Sequence, residues 1–268
     1  MFKHDFSIHK NLRFIVFLFF IPFFSLYAQI PDTASVVVNS KKEMVSEASQ
    51  ARTIAAIVIP TAMVTYGFIS IKNPTLQQLD QHIANNVYSN NLLINNNLDD
   101  YLKYSPAVVA YGMKLAGVES KHNLLDMSII YFLSNALEAS VVQTSKNLIS
   151  RMRPDGSKDN SFPSGHTATA FVAAEFLHQE YKDQSVWIGI GGYTMASLVG
   201  IARVLKDQHW FSDIITGAGI GIISTKIIYW LYPHLQELFS KKRTQQLHTF
   251  ICPSYDRGAL TLNFSCNF

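Results

Sequence analysis

Residues 146–154 (KNLISRMRP), 163–166 (PSGH) and 202–213 (ARVLKDQHWFSD) each close or open a long apolar run. Apolar residues recur at helical spacing over 124–150, 165–181, 184–203 and 210–238, so these runs read as helices with polar breaks between them. Pro154 stops the first, because a proline ring cannot continue a helix, and Ser164 reads as the N-cap of the second. Outward from this core, 104–118 is a further helix, and 53–71 is an uncharged segment interrupted by Pro60 that reads as a span or a deeply buried helix. The expected fold is all-α, a bundle of about six helices. Small residues Gly189, Gly191, Gly192, Ala196 and Gly200, then Gly217 and Gly221 at GxxxG spacing, mark places where helices approach closely.

The three clusters hold the chemistry. Lys146 and Arg153 are seven residues apart, two helical turns, and project from one face near a helix end; Arg151 between them reads as a solvated charge. Ser164 and Gly165 open a helix whose first N–H groups form an anion site, and Gly165 leaves room beside the backbone. His166 lies in that first turn. His209 and Asp213 are one turn apart, so the carboxylate is placed to accept a hydrogen bond from one imidazole nitrogen and leave the other as an unprotonated nucleophile. Two histidines and an aspartate also suggest a metal site, but Lys146, Arg153 and Arg203 repel a divalent cation, and no metal or other cofactor is expected.

In this order the clusters, Lys146-x6-Arg153-Pro154, Pro163-Ser164-Gly165-His166 and Arg203-x5-His209-x3-Asp213, resemble the signature of the type 2 phosphatidic acid phosphatase family, which includes class A acid phosphatases and vanadium haloperoxidases. The resemblance covers roughly 100–232; Ala202 stands where the family usually has serine. It implies a metal-independent phosphoric ester hydrolase. His209 attacks phosphorus, His166 protonates the leaving oxygen and later activates water, and Asp213 holds His209. Lys146, Arg153, Ser164, Gly165 and Arg203 bind the phosphate.

The ends set the setting. Residues 1–28 read as a secretory signal, with Lys3, Lys10 and Arg13 before the apolar run and Ala28 at the cleavage point. Residues 29–50 read as a linker, 51–240 as the helical phosphatase domain, and 241–268 as a tail containing a β-hairpin around Asp256-Arg257-Gly258. Residues 85–97 are rich in asparagine, which bonds locally to backbone and is expected to keep this connection out of long helix. Cys252 and Cys266 leave a disulfide open. A composition of 48% hydrophobic and 15% charged residues is lean for a chain made mostly of spans, and a net charge of +3 is too small to argue for nucleic acid. His82, His122, His178, His234 and His248 read as surface or interfacial.

The function expected is an exported, membrane-associated phosphatase acting on a lipid phosphate, with lipid A or a polyprenyl diphosphate favoured and no obligate protein partner. A soluble periplasmic acid phosphatase is the alternative. If 53–71, 104–118 and 127–145 all crossed the membrane, Lys146 would face the cytoplasm. Because 104–118 is short and carries Lys114, and 127–145 carries Glu138, at least one is expected not to cross, leaving the site facing the periplasm.

Overall fold

A computed structural model describes the backbone of residues 38–94, 97–243, 248–256 and 259–267, with side chains described over 54–94 and 97–237. The signal and the first part of the linker lie outside the described residues. Eight helices are present among those described: α1 (Val38–Ser70), α2 (Pro74–Ser89), α3 (Leu98–Leu102), α4 (Ser105–Leu115), α5 (Leu124–Leu148), α6 (Gly165–Tyr181), α7 (Val186–Leu205) and α8 (Phe211–Arg243). The chain divides into two compact units, Met1–Ile228 and Tyr229–Phe268.

Local chemistry sets most of these boundaries. Asn73 accepts from the Leu76 N–H (3.1 Å) ahead of Pro74, whose fixed φ suits a first helical position. Asn123 accepts from the Asp126 N–H (2.9 Å) to start α5, and Ser185 from the Trp187 N–H (3.3 Å) to start α7. Two expectations change. Pro60 does not interrupt α1, and beside it the Thr61 hydroxyl donates to the Ile57 carbonyl at 2.8 Å. α2 runs into the start of the asparagine-rich stretch, taking in Asn85 and Asn86, and there Asn86 Nδ2 donates to the His82 carbonyl at 2.8 Å. The side chain bonds back along the helix instead of competing with it.

The core of the first unit is α6. Ala170, Phe171 and Ala174 on it pack with Ala196 and Val199 of α7 and with Ala218 and Ile222 of α8. Ile83 and Val87 of α2 join Ile201 and Val204 of α7 and Phe211 and Ile214 of α8 in a second cluster. The GxxxG pair is a packing device: a Cβ on Gly217 would stand 2.5 Å from the Ser164 carbonyl, and one on Gly221 would collide with the Ala168 carbonyl. Backbone contact between α8 and α6 therefore requires glycine at both positions.

α5 (Leu124–Leu148), α7 (Val186–Leu205) and residues Phe211–Glu237 of α8 are long and apolar enough to cross a membrane. The Ile54–Ser70 part of α1 and α2 pass together as a pair bent by 94°. α4 is only 11 residues and is not among these candidates. Ile57, Val58, Phe132 and Leu198 are exposed on the candidate helices, an outward apolar surface suited to hydrocarbon rather than water.

In the second unit, β1 (His248–Asp256) and β2 (Ala259–Asn267) run antiparallel. Cys252 is opposite Asn263 and Cys266 opposite Thr249, so the two cysteines are not partners in the register.

Candidate active site

The end of α5, the loop to α6, the N-terminus of α6, the end of α7 and the start of α8 meet at one place. Lys146, on the last turn of α5, donates to the Asn160 carbonyl at 2.5 Å. The loop is fastened to the α7–α8 connection by the Asp155 N–H on the Asp207 carbonyl (3.1 Å), and to α8 by the Ser164 N–H on the Asp213 carbonyl (3.1 Å). Arg203 is central, close enough for its charge to act on His166, His209, Lys146 and Arg153. All eight sequence-predicted residues are thereby gathered at one site.

Their individual roles are clearer in detail. Ser164 occupies the N-cap position of α6 but makes no side-chain cap bond; its hydroxyl pairs with that of Thr167 at 3.0 Å. The first N–H groups of α6 have no carbonyl within the helix to bond, so they remain donors for an anion. A Cβ on Gly165 would meet only Val142, at an ordinary 3.6 Å, so helix packing does not require glycine there. The Nε atoms of Arg153 and Arg203 are buried without a hydrogen-bond partner, which is costly for a guanidinium unless an acceptor is supplied. Burial and the neighbouring Arg203 charge push Arg153 below its ordinary pKa.

His209 is buried, and its Nδ1 lies 2.7 Å from the Ser161 carbonyl. A carbonyl only accepts, so Nδ1 carries the proton and Nε2 is the unprotonated nitrogen. The expected Asp213 bond is replaced, since Asp213 Oδ2 stands 3.7 Å from Nδ1, beyond hydrogen-bond range. The reason is that Asp213 is already filled: Arg151 donates to Oδ1 (2.6 Å), and the Ser161 hydroxyl (2.5 Å) and Trp210 N–H (3.0 Å) donate to Oδ2. Asp213 acts on the imidazole through Ser161 and through its charge. Burial lowers the His209 pKa, with Asp213 opposing, so the ring is neutral and nucleophilic at neutral pH.

Arg151 is a correction to the sequence reading. It is not a solvated charge: its Nη1 also reaches the Ser212 hydroxyl (2.8 Å), its Nη2 reaches Asp80 Oδ2 (2.7 Å), and its guanidinium lies 5.6 Å from the Trp210 ring. Asp80, from α2, completes the brace by accepting from the Ser212 N–H (3.0 Å) and hydroxyl (2.6 Å).

α3 supplies two further groups that sequence reasoning missed. Asp99 is buried and accepts from Arg203 Nη1 (2.7 Å) and Lys206 Nζ (2.9 Å). Burial works against its charge, yet these hydrogen bonds hold it below the usual carboxylate range. Asp100 Oδ1 lies 2.7 Å from His166 Nε2. Burial, reinforced by Arg203 and opposed by Asp100, lowers His166 to about 4. Asp99, Asp100 and His166 each place a ligand atom within 4.8 Å of the others, and Asp99 there already pairs with two cations. Between residues 51 and 118 the only carboxylates are Asp80, Asp99 and Asp100, and that scarcity in an apolar stretch was the available signal.

Two other histidines are half-buried. His122 pairs through Nδ1 with the buried Glu180 at 2.8 Å, and His178 has a buried Nδ1 set against Gly189.

Three cations and a helix N-terminus thus stand beside a neutral histidine with a fixed tautomer, an arrangement suited to holding an anion. Over residues 127–237 the chain matches the family model described as the PAP2 superfamily. It is 46% identical over 99 residues to a lipid A 1-phosphatase of Porphyromonas gingivalis, covering 37% of this chain and 22% of that protein. It is 34% identical over 77 residues to the bacitracin transport permease protein BcrC of Bacillus licheniformis, covering 29% and 36%. These alignments span roughly a fifth to a third of the relatives' length. A solved transmembrane PAP2-type phosphatidylglycerolphosphate phosphatase from Bacillus subtilis superposes with a TM-score of 0.46 at 19% identity, over 66% of this chain and 96% of that one.

Proposed function

We propose that the protein is an exported, membrane-associated phosphatase that hydrolyses a lipid phosphate monoester or diphosphate without a metal, through a phosphohistidine on His209. The observation that carries this is the fixed tautomer of the buried His209, with Nδ1 on the Ser161 carbonyl, beside Arg153 and Arg203 with unpartnered buried Nε atoms. His209 Nε2 attacks phosphorus while Lys146, Arg153, Arg203 and the α6 N–H groups hold the equatorial oxygens. His166 gives its proton to the departing oxygen, and then takes one from the water that releases phosphate. Three helices suited to crossing a membrane favour a lipid substrate over small soluble esters. Among lipids, the similarity to a lipid A 1-phosphatase favours lipid A, with a polyprenyl diphosphate next.

Purified protein is to be mixed with vesicles containing bis-phosphorylated lipid A or a polyprenyl diphosphate, with His209→Ala as control and with or without a chelator. Release of phosphate from one lipid, abolished in the variant and indifferent to chelation, is expected. Hydrolysis of small soluble esters alone would replace the lipid reading with that of an acid phosphatase. The site is taken to face the periplasm. A cysteine at Asp155 should then react with a membrane-impermeant reagent in intact cells, and protection until lysis would reverse the orientation.

A further inference from the structure

α3 is five residues long, yet adjacent carboxylates on it serve different groups of the site. Asp99 is buried between Arg203 and Lys206, whereas the Asp100 side chain is 45% exposed and reaches the His166 ring. Neither phosphate binding nor the nucleophile uses Asp100. We infer that Asp100 is the positioning residue of the general acid: its carboxylate takes the Nε2 proton of His166, which fixes the tautomer and leaves Nδ1 to exchange protons with the leaving group and with water. The inference rests on the phosphatase reading above and adds a residue to it.

The chemistry follows from the geometry. A carboxylate only accepts, so Nε2 is the protonated nitrogen whenever the 2.7 Å contact is made. In the first step the Nδ1–H proton passes to the leaving oxygen as its bond to phosphorus breaks and the bond from His209 Nε2 forms. His166 becomes neutral and keeps its Nε2–H on Asp100. In the second step Nδ1 takes a proton from water as the hydroxide oxygen bonds phosphorus and the N–P bond breaks, which restores the imidazolium. The charges facing His166 are Asp99 and Asp100 on α3, Lys103 just after it, and Arg203 on α7; α5, packed on α6, carries Glu138 and Lys146. Burial and the cations drive the proton off the ring, and Asp100 opposes them. Losing Asp100 therefore weakens the acid without touching the nucleophile.

The test compares kcat/KM for an aryl phosphate, whose leaving group departs unprotonated, with that for an alkyl phosphate, which requires the acid, across pH 4.5 to 8 in the full-length protein. In Asp100→Asn the alkyl ester should lose about 10–100-fold, part of the 10²–10⁴ that acid–base catalysis supplies. The aryl ester should stay within about threefold, because the measurement reports only phosphorylation. The high-pH limb for the alkyl ester should move to lower pH, since the acid is lost earlier as pH rises. Asp100→Glu should restore most of the alkyl rate. Equal losses on both esters with an unmoved limb would make Asp100 merely structural, and a gain in rate would make it a plug; either overturns the inference, as does no change. If wild type hydrolyses neither ester, the phosphatase reading fails and takes this inference with it. An active wild type with an unaltered Asp100→Asn profile sinks this inference alone.

Discussion

Replacing Arg151 with methionine tests the brace behind His209. The guanidinium sits between Asp80 and Asp213, whose side chains are 1% and 0% exposed, and is itself 13% exposed. Methionine keeps much of the volume but leaves two buried carboxylates facing one another, and removing one partner of a buried pair costs about 3–5 kcal/mol. At about 2–4 °C of Tm per kcal/mol in a chain of this size, the expected loss is roughly 6–20 °C. Adding Asp80→Asn removes one of the stranded charges, so the double variant should recover about 0.5–3 kcal/mol relative to the sum of the single changes. Thermal unfolding of the purified protein in detergent, read for wild type, both single variants and the double, measures this directly. A Tm within about 2 °C of wild type for Arg151→Met would refute the reasoning, because only a solvated arginine could be removed so cheaply.

Other expectations address the anion cradle. Arg203→Lys trades a planar fork for a point donor and strands part of Asp99, so kcat/KM should fall by more than about tenfold; a loss under about threefold would remove Arg203 from the phosphate. Gly165→Ala should leave Tm unchanged, since its Cβ meets only Val142 at 3.6 Å, while activity falls because the methyl enters the anion's space; unchanged activity would place the phosphate elsewhere. Gly221→Ala should do the opposite and destabilise by about 1–3 kcal/mol through the Ala168 carbonyl, as measured by thermal melting. His166, held at about 4 without a bound anion, binds fewer protons than the unfolded chain between about pH 4 and 6.5, so its contribution to stability is lost as pH falls through that window. A bound dianion reverses the preference, and inhibition by sulfate should strengthen on the order of tenfold from pH 7 to 5; a flat profile would separate His166 from the anion.

What the sequence made legible is what is local. α6 was expected at 165–181 and is found at Gly165–Tyr181, because a cap residue, an apolar run and a polar stop lie within one short window. The residues gathered by the three clusters were legible for the same reason, each cluster being one helix end. Arg151 was not, because its partners lie 71 residues before it and 62 after it in sequence, and only the folded arrangement of α2 and α8 reveals them. Asp99 and Asp100 were hidden in a stretch whose asparagines looked like a solvated connection. That one nitrogen of His209 is held protonated was expected, but with Asp213 as the acceptor; a backbone carbonyl such as that of Ser161 leaves no mark in a residue pattern.

α6 has a consequence for how the protein is made. From Ala170 to Leu177 it is buried throughout, and it carries Glu175, which is fully buried. Glu175 is neutralised by Lys226 of α8 at 2.7 Å, with Gln179 at 2.6 Å and the Tyr193 hydroxyl of α7 also donating to it. During synthesis that lysine emerges 51 residues after the carboxylate it serves. Left alone in hydrocarbon, an acidic side chain at mid-helix costs about 2.5–3.5 kcal/mol on insertion scales, so α6 has no reason to leave the translocation machinery for lipid when it first appears. The hydrophobic α7 and α8 have such a reason, and α8 brings the lysine. α6 is thus expected to wait for α8, and a ribosome stalled before Lys226 should hold a chain in which His166 has not yet been fixed in place.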